Sequence, residues 1–115
     1  MQIDSIYLKK FIENDLLSLG FDKDSLEVGI EAFIESLNDS FPNLVKAIEE
    51  KDYENIKFFA HSLKGTFGNF ENNTFIQISE LLKKIESLAK ESKNFELIID
   101  YFKQIKSLSK DWLII

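Results

Sequence analysis

Apolar residues recur along this chain at three- and four-residue steps and nowhere alternate in twos for long, a pattern that predicts helices and no strands. Ile6, Tyr7, Phe11, Leu16 and Leu17 sit in loosely helical spacing from about Asp4 to Leu19, with Gly20 as a C-cap, and give a short first helix. Asp22 or Asp24 can cap a second, whose apolar face Leu26, Ile30, Phe33, Ile34, Leu37 continues beyond Pro42 through Leu44, Val45 and Ile48. One long helix kinked at the proline is expected, running to about Glu50. Asp52 can cap a third helix from about Tyr53 to Phe70, and Asn72, Asn73 and Thr74 form the next turn and cap. Phe75, Ile78, Leu81, Leu82, Ile85 and Leu88 then make the clearest amphipathic stripe in the chain, fading in the polar stretch Lys90 to Asn94. The last helix is expected from about Phe95 to Trp112, with Phe95, Ile98, Ile99, Phe102, Ile105 and Leu108 inward.

Four longer helices joined by connections of a few residues must run antiparallel to their neighbours. The expected fold is all-α: an antiparallel up-and-down four-helix bundle with an additional short N-terminal helix laid across one end as a lid. Phe33, Phe59, Phe75 and Phe102 are expected in the core.

The third helix carries the only histidine. Taking His61 as origin at about 100° per residue, Ile56, Phe59, Ala60, Leu63, Phe67 and Phe70 gather into a core-facing stripe. Lys57, His61, Lys64, Gly65 and Gly68 cluster about 130° away, on the solvent side. Each interior glycine costs a helix roughly 1 kcal/mol relative to alanine. Two on the histidine's face point to the close approach of another body. Lys64 projects from the same face as a counter-charge for an anion carried on the imidazole, and phosphate is the anion that a histidine nitrogen forms most readily by displacement.

His61-x-x-Lys64-Gly65, followed by Gly68-Asn69-Phe70, resembles the active helix of the histidine-containing phosphotransfer (HPt) domains of multistep two-component signalling. The resemblance extends over most of the chain, from Ala32-Phe33-Ile34-Glu35 through Phe41-Pro42 and the Lys51-Asp52-Tyr53 break to the helix after the histidine. It implies that His61 is the phosphoacceptor, that Lys64 neutralises the phosphoryl group, and that Gly65 admits a response-regulator receiver domain. Lys57 and Gly68 join the partner-binding set. Phe58, at the edge of that face, either belongs to the docking patch or packs under the N-terminal helix. Where the family usually has a glycine, this chain has Glu71, and Asn72 and Asn73 supply the turn chemistry. For the family's glutamine or glutamate that reaches the histidine from the following helix, the register offers Lys83 or Glu86.

Size and composition narrow the partners. With 115 residues the chain is expected to be one domain, residues 1–115. Cysteine is absent, which excludes disulfides, thiolate metal sites and cysteine nucleophiles. The net charge of −6 weighs against nucleic acid. No run reaches the roughly 18 apolar residues of a membrane span, and Met1-Gln2-Ile3-Asp4 does not open a secretory signal. A free-standing, cytoplasmic monomer is expected, with no cofactor and no metal. The chain has neither a P-loop nor a kinase-type glycine-rich loop, so it cannot phosphorylate itself. A phosphocarrier between receiver aspartates, served by a hybrid histidine kinase, is the expected function. The alternative is a non-catalytic helical adaptor that docks a receiver or kinase without carrying phosphate.

Overall fold

Helix boundaries fall where short polar side chains meet the unpaired N–H groups of a first turn. In the computed structural model, which describes residues 1–115, the order is β1 (Gln2–Ile3), α1 (Ser5–Ser18), α2 (Leu26–Glu49), α3 (Tyr53–Gly68), α4 (Asn73–Lys90), α5 (Phe95–Ser109) and β2 (Leu113–Ile114). Asp4 caps α1 through the Tyr7 N–H, Asp52 caps α3 through that of Asn55, and Asn72 caps α4 through that of Phe75. Gly20 follows α1 with φ +98°, the left-handed backbone that glycine adopts freely. For α2 the expected cap is corrected. Its N-cap is Ser25, and Asp22 instead builds the preceding turn, accepting from the Ser25 N–H while its own N–H bonds the serine hydroxyl.

The chain is all-helical apart from one small strand pair. β1 and β2 pair antiparallel, Gln2 opposite Ile114 and Ile3 opposite Leu113. This corrects the expectation of no strands, for which there is a simple reason: two residues are too few to show alternation, and the partners lie at opposite ends of the chain. The same clasp ends the last helix at Ser109 instead of Trp112, whose carbonyl accepts from the Asp4 N–H at 2.9 Å. α3 likewise stops at Gly68, two residues before Phe70. α2 runs through Pro42 as a single helix.

A contiguous core of 26 buried residues joins all five helices. Its densest part is aromatic: Phe67, Phe70 and Phe33 surround Phe75 with ring centroids 5.0 to 5.4 Å apart, and Trp112 adds a fourth neighbour at 5.8 Å. Phe102 is buried as expected, whereas Phe59 is only partly buried at the edge. In α1 the inner face is Leu8, Ile12 and Leu16, while Ile6, Tyr7 and Leu17 are exposed. That corrects the expected stripe, since apolar residues lie all round this helix and only docking selects among them. α1 packs on α2 and reaches the start of α4, where Phe11 meets Phe75 at 5.4 Å and Asp15 accepts from the backbone and side-chain N–H groups of Asn72. It thereby covers the end that carries the α3–α4 turn.

Candidate functional site

His61 lies in the middle of α3 because Ile56, Ala60, Leu63 and Phe67 turn that helix's other face into the core. Its side chain is 69% exposed. Nδ1 is 3.0 Å from both carboxylate oxygens of Glu86, on α4, and Nε2 has no protein partner. The Lys64 ammonium donates to the same two oxygens at 3.1 and 3.2 Å. One carboxylate therefore holds the imidazole and the lysine together. Between the two offered by sequence register, Lys83 and Glu86, the structure brings Glu86 to the ring and leaves Lys83 exposed one turn away.

Glu86 is 19% exposed. Its burial favours the neutral acid, but hydrogen bonds from His61 and Lys64, with the lysine's charge, outweigh that and hold the carboxyl below its ordinary value of 4.5. An ionised Glu86 accepts from Nδ1–H, which fixes the tautomer and leaves the Nε2 lone pair toward solvent.

The two glycines differ. A Cβ built on Gly65 meets nothing within 4 Å, so the surface one turn beyond the imidazole is bare and open. A Cβ on Gly68 would lie 3.7 Å from Ser79 Oγ, an ordinary contact with α4. Gly68 is thus exposed, as expected, and stands at the edge of the α3–α4 seam. Ser79 also donates to the Lys64 carbonyl at 3.4 Å, pinning that seam. Lys57 is exposed with no ion-pair partner among the salt bridges. Phe58 is 63% exposed and stands edge-on to Phe59 at 5.1 Å, which removes the alternative that it packs under the N-terminal helix.

On the α2 side of Gly65 an open groove of about 450 Å³ is lined by Leu16, Leu19, Phe21, Phe33 and Phe70 together with the polar Ser62, Thr66 and Asn69. Sequence periodicity misses Leu19 and Phe21, which lie in a connection where no period applies. One signal was available: Gly29, whose added Cβ would fall 2.6 Å from the Phe21 ring, is a glycine inside a helix that lets this ring cross α2. No group of three or more His, Cys, Asp or Glu side chains converges as a metal site, and no helix is long and apolar enough to cross a membrane.

Among known proteins, residues 29–108 match the family model described as the Hpt domain. Neither the curated proteins nor the solved structures contain a significant match.

Proposed function

This chain belongs to the Hpt domain family, whose role is phosphotransfer in two-component signalling, and from that premise we propose that His61 carries a phosphoryl group between the aspartates of two receiver domains. On this reading the chain is one Hpt-like domain in which α2 to α5 form an up-and-down four-helix bundle. It works as a cytoplasmic monomer supplied by a hybrid histidine kinase.

One observation carries the reading: a ring nitrogen without a partner faces solvent beside bare backbone, while the other is held by a carboxylate. The Nε2 lone pair attacks phosphorus in a receiver's phosphoaspartate, the P–N bond forms, and the P–O bond breaks with the aspartate leaving as carboxylate. Nδ1 keeps its proton throughout. The ring then bears positive charge, which Glu86 offsets at 3.0 Å. Lys64 shares that carboxylate and is within reach of the arriving phosphoryl oxygens, so it neutralises charge at the reacting centre without being an acid or base. The open surface at Gly65 permits the in-line approach that positioning requires. The neighbouring apolar groove and Phe58 offer the receiver a surface to bury.

The test is transfer from a phosphorylated receiver, with the label assayed for stability in base and lability in acid. Wild type should take such a label, and His61→Gln should fold normally and take none. Equal labelling of the two would reject His61. Receiver binding without any label would leave the chain a docking adaptor.

A further inference from the structure

His61 stands on a boundary between two unlike surfaces. Toward α2 lies the apolar groove, and toward α4 the surface is basic. Three contacts fix the register of α3 on α4: Glu86 with His61 and Lys64, Ser79 Oγ with the Lys64 carbonyl, and Gly68 near Ser79. Rising numbers on α4 meet falling numbers on α3, so the two helices are antiparallel there. At about 3.6 residues per turn, Lys83 and Lys90 fall one turn to either side of Glu86, on the face that carries Ser79. Lys57 falls one turn before His61, on the side of Lys64. Lys57, Lys83 and Lys90 are all exposed, and none is held in an ion pair.

Together with Lys64 these lysines enclose a single carboxylate, Glu86, which is already neutralised by its two partners. Glu54, two turns before His61 at the start of α3, and Glu80, one turn before Lys83 on α4, bound the band, and Glu91 at its other end is engaged by Lys93 at 2.8 Å. A chain of net charge −6 repels an acidic partner over most of its surface. This band is where it does not. A phosphoaspartate pocket is such a partner, since it presents a phosphoryl group among cation-binding carboxylates.

We propose that Lys57, Lys83 and Lys90 form a steering surface that captures the acidic rim of a receiver's phosphoaspartate pocket and turns it onto Nε2 of His61, while the groove on the α2 side holds the receiver's apolar surface. The inference rests on the reading of His61 as phosphoacceptor and adds the orientation of the partner to it. The two flanks have separate kinetic roles. Steering by exposed charge sets the rate of encounter and is screened by salt, whereas apolar burial sets the lifetime of the complex.

The experiment measures association with Mg²⁺- and beryllofluoride-loaded receiver domains encoded in the same genome, by stopped flow, at ionic strengths from about 0.01 to about 0.5 M. Lys57→Glu, Lys83→Glu and Lys90→Glu are compared with Lys103→Glu, an exposed change of equal charge on α5. Each reversal in the band should slow association by about 3- to 10-fold at low salt, and the triple reversal by about 100-fold, with the differences shrinking as salt rises. Dissociation should change far less than association, and melting temperature should fall only slightly, most for Lys90→Glu, which reverses a charge in the last turn of α4. Lys103→Glu should match wild type. Band reversals that behave like Lys103→Glu, or losses independent of salt, overturn the steering surface. So does binding to phosphatidylserine vesicles, lost on reversal, with no receiver association. Phosphate labelling is scored separately: salt-dependent receiver association without a label upholds the surface while rejecting His61 as a phosphocarrier.

Discussion

At the scale of single residues, Glu86 does two things with one carboxylate, and its substitutions separate them. Glu86→Gln keeps an acceptor for Nδ1–H but removes the charge that offsets the phosphorylated ring and holds Lys64, so transfer should fall about 3- to 10-fold. Glu86→Ala removes both, and single-turnover labelling should show a larger loss, on the order of 30-fold. The low exposure of the carboxylate contrasts with the exposed imidazole, so solvent screening keeps the stability change near or below about 1 kcal/mol. Its pH dependence has a definite sign. The folded value lies below the ordinary 4.5, so this stabilisation is complete above that value and is lost as pH falls through the folded one. Denaturant titrations of wild type between about pH 6 and pH 3 should therefore lose more stability than those of Glu86→Gln. Gly65 offers the opposite separation. In Gly65→Leu the added Cβ meets no neighbour and helix propensity gains up to about 1 kcal/mol, so the variant should melt no lower than wild type. Transfer should nevertheless fall by on the order of 100-fold, because a partner can no longer approach the ring.

Among the elements, the α3–α4 turn has more attached to it than a connection usually does. Asn72 caps α4 and at the same time donates to Asp15 near the end of α1 at 2.6 Å. Asn72→Ala should cost about 1 to 2 kcal/mol in chemical denaturation, and Asp15→Ala less. A double-mutant cycle should show the two to be coupled, and hydrogen exchange should report α1 opening before the other helices. How far these elements were legible depended on how one-sided each stripe is. α4 presents one apolar face, and Phe75, Ile78, Leu81, Leu82 and Ile85 are buried as its period predicts. α1 has apolar residues on several sides, so its sequence permits more than one inward face, and contact with α2 and Phe75 selects Leu8, Ile12 and Leu16. His61 and Lys64 were legible because they share a helix whose core stripe is unambiguous. Glu86 was not, because its place opposite His61 depends on the length of the α3–α4 turn.

Across the whole molecule, the two chain ends close on each other. Trp112 is buried against Phe75 and Phe67, and the clasp of β1 with β2 hangs on it. Trp112→Ala should cost about 3 to 5 kcal/mol and free both termini, read as a lowered denaturation midpoint with early exchange of the Asp4 amide. The clasp and all of α1 lie outside residues 29–108, the span matched to the Hpt domain. They nevertheless supply Leu16 to the groove beside Gly65, so part of the surface next to the histidine is contributed by the N-terminal segment.

What the sequence determined alone had a local cause: helical period, the cap at Asp52, a turn and cap within Asn72 to Thr74, and an outward histidine with Lys64 and Gly65 one turn away. These follow from bonds and side-chain directions within a few residues, which the order of amino acids dictates directly. Tertiary structure decided the carboxylate on Nδ1, the groove between α1, α2 and α3, the basic band across α3 and α4, and the terminal clasp. Each joins residues far apart in the chain, and such meetings depend on how whole helices settle against a shared core, which no local period encodes.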